Sequence, residues 1–422
     1  MQQDDHRPRL LNPPVIGWVL YDFANTIFSF VVVTRYFNDW IIEERGQPDI
    51  YVGLMVAAVS LALLVALPLI GALADRWGRH KPILIAFTLV CVVATGLLGV
   101  VDSILLALVV AGVATFAFNT SDSQYHPLLS VVAPERSRAR VSGLGVAVGF
   151  VGSLTALALI GGIATDGHAQ RAFLPGAALF MLFAVPLFVL VRESGHAEPR
   201  ERPSIGPFAQ LAISLRRARH APHGRLLLAR FFYVDAIATI LLYMTVYARR
   251  TGDFDSSGIN VLLAVATVAA LAGAIGAGLI AERIGPRRVI LGTLTMTIAA
   301  LIVGAGTGSS AVLWVLGPII GIALGSLSAV DRVFMLRLVP AEHRGEDFAL
   351  YALVGKLSSG FGPLVLWGGT VLVGTELFGW SKFDASRAAT FVLAGAALVG
   401  YLILRPLADP TVAAVAKAPA TS

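Results

Sequence analysis

The chain has 422 residues, 56% of them hydrophobic and only 14% charged, with a mean hydropathy of +0.78. A soluble domain carries about a quarter charged residues, so a water-soluble globule is excluded. The formal charge of +6 sits in short segments between long apolar stretches, which points to membrane topology and away from nucleic acid.

Twelve apolar spans follow in chain order, near 15–39, 52–74, 82–101, 103–129, 140–164, 172–191, 225–248, 258–281, 288–307, 310–338, 347–373 and 388–406. Each is long enough to cross a hydrocarbon core of roughly 30 Å. The polar start and the length of the first span argue against a cleavable signal peptide. The longest break, 192–224, is rich in Pro, Arg and Glu and separates six spans from six. The predicted organisation is an N-terminal six-helix bundle in 1–191, a cytoplasmic linker in 192–224 and a C-terminal six-helix bundle in 225–422. Within the linker, residues 208–219 form either a basic amphipathic helix on the membrane surface or plain solvated linker.

Lys and Arg fix the orientation. With the N-terminus inside, 22 of the 32 fall in cytoplasmic segments and 6 in outer loops. That bias predicts a multi-pass protein of a bacterial-type plasma membrane with both termini cytoplasmic. The lone cysteine, Cys91, lies within a span and excludes an intrachain disulfide.

A short basic sequence occurs twice. Residues 71–84 (GALADRWGRHKPIL) return as 278–291 (GLIAERIGPRRVIL), with six of fourteen positions identical and an offset of 207 residues. Parallel repeats of this kind are a mark of transporters. Gly71 and Gly78 permit a tight turn, while Arg76, Arg79 and Lys81 can engage helix C-termini and Asp75. The segment, with Glu282 and Arg283 in the second copy, acts either as a cytoplasmic gate or as a charged topogenic loop.

At these residues the chain resembles the major facilitator superfamily, whose loop signature is matched by Gly71, Leu73, Asp75, Arg76, Gly78, Arg79 and Lys81. A narrower resemblance is to the vacuole effluxer (autophagy-related) family and its bacterial relatives. It is carried by Tyr21-Asp22-Phe23-Ala24-Asn25, by Arg140-Val141-Ser142-Gly143-Leu144-Gly145, and by Arg332, Arg337-Leu338-Val339-Pro340, Phe348, Leu350-Tyr351, Gly355-Lys356 and Gly362-Pro363. The resemblance implies an all-α integral membrane fold of twelve helices in two pseudo-symmetric bundles, with spans 1, 4, 7 and 10 lining a central cavity. The activity it implies is solute export, described as amino-acid efflux for the eukaryotic members.

Ionisable groups inside spans are costly and mark function. Asp22, Asn25, Thr26 and Ser29 share one face of span 1, and Thr115, Asn119, Asp122, Ser123 and His126 one face of span 4. Asp235 and Thr239 repeat Asp22 and Thr26 on span 7, span 10 carries Asp331 and Arg332, and span 11 carries Lys356. These groups either bind substrate and protons or form interdomain ion pairs that close the cytoplasmic side. His126, followed by Pro127, carries protons or bonds a freed backbone carbonyl. Arg35 and Arg230 are expected to snorkel outward and towards the cytoplasm, respectively. Gly143, Gly145, Gly149 and Gly152 on span 5 and Gly273, Gly276 and Gly278 on span 8 suit close helix packing.

No Walker loop, metal spacing or enzyme signature is present, so neither a cofactor nor a metal is expected. The predicted function is secondary active export of a small polar or zwitterionic metabolite such as an amino acid, coupled to protons, by a monomer in the bilayer. Asp22 is the expected proton carrier. A lipid flippase or scramblase, and a transporter-like sensor without flux, are the alternatives.

Overall fold

The computed structural model describes residues 12–193, 206–250, 254–307, 309–340 and 343–408. Both chain ends and residues 194–205 of the linker therefore lie outside the described residues. The described residues are helical, with no strand among them. Twelve helices are long and apolar enough to cross a membrane: Pro13–Glu44, Asp49–Trp77, Lys81–Leu98, Ile104–Val132, Arg140–Ile160, Ala169–Leu190, Pro222–Arg250, Ser256–Ile284, Pro286–Thr307, Ser310–Leu338, Glu346–Glu376 and Lys382–Leu404. They are spans 1 to 12 below. Helix is the expected outcome, because every backbone polar group in hydrocarbon must be satisfied within its own segment.

By contact, the chain divides into two units. The first holds residues up to 40 and 65–204; the second holds 41–64 and 205–422. The C-terminal end of span 1 and the first half of span 2 thus group with the second unit.

In the first unit, span 1 packs against spans 5 and 6, and glycines on span 5 let it approach closely. A Cβ added at Gly152 would stand 2.5 Å from the Phe23 carbonyl oxygen, and one at Gly149 would stand 3.1 Å from the Thr26 methyl. Thr26 Oγ1 donates to the Gly149 carbonyl at 2.5 Å. Trp18 and Tyr125 stack at 4.5 Å between centroids, and Tyr21 stacks on Tyr125 at 5.2 Å. Such pairs contribute about 0.5–1.5 kcal/mol beyond area burial. Cys91 is fully buried.

In the second unit, spans 8 and 10 approach until their backbones touch. A Cβ at Gly273 would lie 2.5 Å from the Ile322 carbonyl oxygen, and one at Gly325 would overlap the Ala270 carbonyl. Gly276 and Gly278, by contrast, have open space beside them, so only part of the small-residue face on span 8 serves packing.

Two spans depart from the α-helix. Span 1 widens to a π-helix over Ser29–Arg35 and again over Asp39–Glu44, and span 11 does so over Gly362–Gly369. Span 1 accordingly runs five residues beyond its predicted end at 39, despite the charges there. Arg35 does not snorkel outward. It is fully buried and pairs with Asp39 at 2.7 Å, one turn on, so two charges enter the protein as a neutralised pair.

The close contact of spans 8 and 10 makes a direct prediction. Gly325→Ala should lower stability by about 1–3 kcal/mol through overpacking, whereas Gly276→Ala should leave it unchanged. Thermal unfolding of the purified protein in detergent distinguishes the two.

Candidate functional site

The repeated loops come first, because they organise the cytoplasmic ends predicted from sequence. Gly78 and Gly285 both adopt left-handed backbone, with φ of 61° and 88°. That region favours glycine, so the shared glycine is a requirement of the turn. After each turn a basic side chain reaches the end of the sixth helix of its own half. Lys81 Nζ donates to the Val191 carbonyl at 2.5 Å, beyond span 6, and Arg287 donates to the Arg405 carbonyl, beyond span 12. Cations at helix C-termini satisfy orphan carbonyls and oppose the helix dipole. Glu193 completes the first loop. Its carboxylate accepts from the His80 and Lys81 backbone N–H groups at 2.8 and 2.9 Å. Sequence reasoning missed Glu193, whose only signal is an acid just past span 6. Asp75, Arg76, Arg79, Glu282 and Arg283 are exposed, and Gly71 has open space beside it.

In the first unit, three of the predicted polar residues form a chain. Asn25 Nδ2 donates to Asp122 Oδ1 at 3.3 Å, and His126 Nε2 lies 3.8 Å from the same oxygen. The Asp122 and His126 side chains are 25% and 60% exposed. Asp122 stands ten residues from the end of span 4, which is about 15 Å along the helix. Asp22 lies by the glycines of span 5, its Oδ2 3.2 Å from where a Cβ would stand at Gly145. Asn119 donates to the Thr115 carbonyl of its own helix at 2.7 Å. Thr26 bonds the backbone of spans 1 and 5.

In the second unit, Asp331 is the hub. It accepts from Arg230 at 2.9 Å, from the Tyr233 hydroxyl at 2.7 Å and from the Tyr351 hydroxyl at 2.9 Å. The Arg230 guanidinium also lies over the Tyr351 ring, 3.8 Å from its centroid. Arg230 therefore pairs inside the protein rather than snorkelling to the cytoplasm. Sequence reasoning found Asp331 but missed Tyr233 and Tyr351 as its partners. Arg332, next in the chain, is exposed, while Lys356 is half-buried. Asp235 is buried, and its Oδ1 accepts the Gly362 backbone N–H at 2.8 Å.

Two further clusters lie at opposite ends of span 7. At one end, Arg250 forms a two-point pair with Asp49 at 2.9 and 2.7 Å. It also donates to Glu43 at 3.0 Å and to Ser386 at 2.6 Å. Trp367 donates to the Asp49 carboxylate at 2.8 Å and stacks on Tyr243 at 4.8 Å. At the other end, the linker carries a helix, Pro207–Arg219. Its Arg217 donates to Glu346 and Asp347, both at 2.8 Å. Burial works against the charged Arg217, but its hydrogen bonds to Asp347 and Glu346 outweigh it and hold the guanidinium above its ordinary value.

With the fold and these sites in hand, the comparisons with known proteins define the class. The sequence model of the Major Facilitator Superfamily matches residues 15–363 and 226–420. The chain is 27% identical to "Uncharacterized MFS-type transporter YxiO" of Bacillus subtilis, across 94% of this chain and 95% of that protein. It is 24% identical to "Autophagy-related protein 22-2" of Aspergillus clavatus, across 57% of this chain and 45% of that protein. The crystal structure of nucleoside transporter NupG matches the fold with a TM-score of 0.73 at 12% identity, covering 94% of this chain and 99% of that one. The chain is an integral membrane protein with a transporter fold. It belongs to the Major Facilitator Superfamily.

The Asp331 hub yields a test. Asp331→Asn leaves Arg230 buried without its counter-charge and should lower stability by about 3–5 kcal/mol. Replacing both partners, as Arg230→Met with Asp331→Leu, should recover most of that loss. Unfolding midpoints of the single and double variants in one detergent check it.

Proposed function

We propose that this chain is a secondary active transporter that exports a small polar or zwitterionic metabolite, such as an amino acid, in exchange for protons by alternating access. The observation that carries this proposal is the Asn25–Asp122–His126 chain. Its carboxylate is partly exposed about 15 Å along span 4 from the helix end, and its imidazole, one turn on, is exposed. Charged groups at membrane depth face water or a polar path rather than lipid, so this face of the first unit suits a passing polar solute. Asp122 offers a carboxylate for an ammonium group, with Asn25 and His126 orienting it. In the second unit, Arg332 is exposed about 9 Å from the end of span 10.

The remaining predicted residues take supporting roles in this scheme. Asn119 and Thr26 shape the polar faces. The repeated loops, with Gly71, Asp75, Arg76, Gly78 and Arg79 in the first and Glu282 and Arg283 in the second, act as the cytoplasmic gate. The chain works as two six-helix bundles, 1–191 and 225–422, joined by the linker 192–224, with both termini cytoplasmic. The similarity to an autophagy-related protein of the vacuole effluxer type supports efflux as the direction.

Purified protein in liposomes tests this directly. Vesicles made acid inside should take up at least one radiolabelled amino acid, and collapsing the gradient with a proton ionophore should stop the uptake. Asp122→Asn should reduce that uptake without lowering the unfolding midpoint. Uptake indifferent to the ionophore would remove proton coupling, and no uptake of any amino acid would remove the substrate class.

A further inference from the structure

Asp235 differs from every other acid described on the membrane spans of the second unit. Asp331 has a guanidinium and two phenols, and Asp49 has a guanidinium and an indole. Asp235 is 1% exposed, and its side chain accepts one hydrogen bond, from the Gly362 N–H. Its second oxygen, Oδ2, has no partner among the described residues. One turn along span 7, Thr239 is fully buried, and its hydroxyl also lacks a partner. Both side chains crowd Gly362: a Cβ there would lie 2.5 Å from Asp235 Oδ1 and would overlap Thr239 Oγ1.

The charged groups on the elements around span 7 do not neutralise Asp235. On span 7 itself, Arg230 and Tyr233 are held by Asp331 of span 10, and Tyr351 of span 11 joins them there. Arg332 of span 10 is exposed, and Lys356 of span 11 stands six residues before Gly362. Tyr243, two turns on, turns to Asp49. On span 12, Lys382, Asp384 and Arg387 lie at one end and Tyr401 at the other. Among the described residues, none of these pairs with Asp235. A buried carboxylate without a cation is far more costly than its neutral acid.

We infer that Asp235 is a proton-binding site, filled while Gly362 of span 11 covers it and emptied when span 11 moves away. Uptake is a plain protonation: hydronium gives its proton to Oδ2, water leaves, and the neutral O–H lies beside the Thr239 hydroxyl. The place of the lid fits this role. Gly362 begins the π-helical stretch Gly362–Gly369, and π-bulges are frequent at functional sites. Its N–H is spent on Asp235 rather than on its own helix, so span 11 and the carboxyl hold each other. As the coupling proton of the transporter, this site rests on the proposed function and replaces Asp22, its repeat counterpart, as the carrier. As a proton site, it stands alone.

Infrared difference spectra of the purified protein, recorded in sodium-free detergent solution across a pH series, test it without any substrate. The C=O band of a protonated carboxylic acid should fade as the pH rises. The band should be missing from Asp235→Asn and present in Asp22→Asn. Thr239→Val keeps the carboxyl but removes the hydroxyl beside the anion, so it should move the fading to higher pH. A band that survives in Asp235→Asn overturns the inference, as does an unmoved midpoint in Thr239→Val. Loss of the band on adding sodium chloride at fixed pH would also overturn it, by making the site one for a metal cation. Because no substrate is present, the spectra can fail while uptake by acid-loaded vesicles succeeds, and the reverse.

Discussion

The hydrocarbon core offers no water to a polar group, and the rest of this structure follows from that constraint. Backbone groups meet it by forming helices. Side chains meet it in pairs or clusters: Arg35 with Asp39, Arg230 with Asp331 and two tyrosines, Arg250 with Asp49 and Glu43. Helix ends meet it through the basic loops. Where the constraint is met completely, the chain is braced. At Asp235 it is met in part: one carboxyl oxygen accepts the Gly362 N–H and the other has no partner among the described residues.

The two copies of the basic sequence show how one local solution serves twice. Each copy makes a turn through a left-handed glycine and then sends a cation to the last helix of its own half. The turn is a property of the backbone, and the strap a property of charge meeting a helix C-terminus. Neither needs the rest of the signature. Asp75 and Arg79, both exposed, take no part in either.

The spans and the repeat were legible in the sequence because hydropathy and local spacing determine them. Twelve spans were expected, and among the described residues twelve helices are long and apolar enough to cross a membrane, with boundaries shifted by a few residues. The five-residue shift at the end of span 1 arises because Asp39, Glu43 and Glu44 look like loop residues. Asp39 and Glu43 are instead neutralised by Arg35, four residues away, and by Arg250, more than two hundred away. Partners were the illegible part. Arg230 and Arg35 each look like a snorkelling cation when only their own helix is considered. Asp331 was found, but the phenols that hold it come from spans 7 and 11, and no spacing rule connects them. Asp22 and Asp235 looked equivalent as repeat counterparts, and both lie against glycines; that a glycine N–H of span 11 is donated to Asp235 is a fact of packing.

The Arg250 cluster also bears on how the protein is made. Asp49 waits for a partner 201 residues further along the chain. At a synthesis rate of about 5–20 residues per second, that interval is roughly 10–40 s. For that time spans 1 and 2 are already emerging while Glu43 and Asp49 still lack the Arg250 guanidinium. The linked end of the first helical hairpin must therefore stay with water or with the insertion machinery until span 7 arrives. The assembly of this end is thus a late event in biogenesis, although its first residues are among the earliest to be translated.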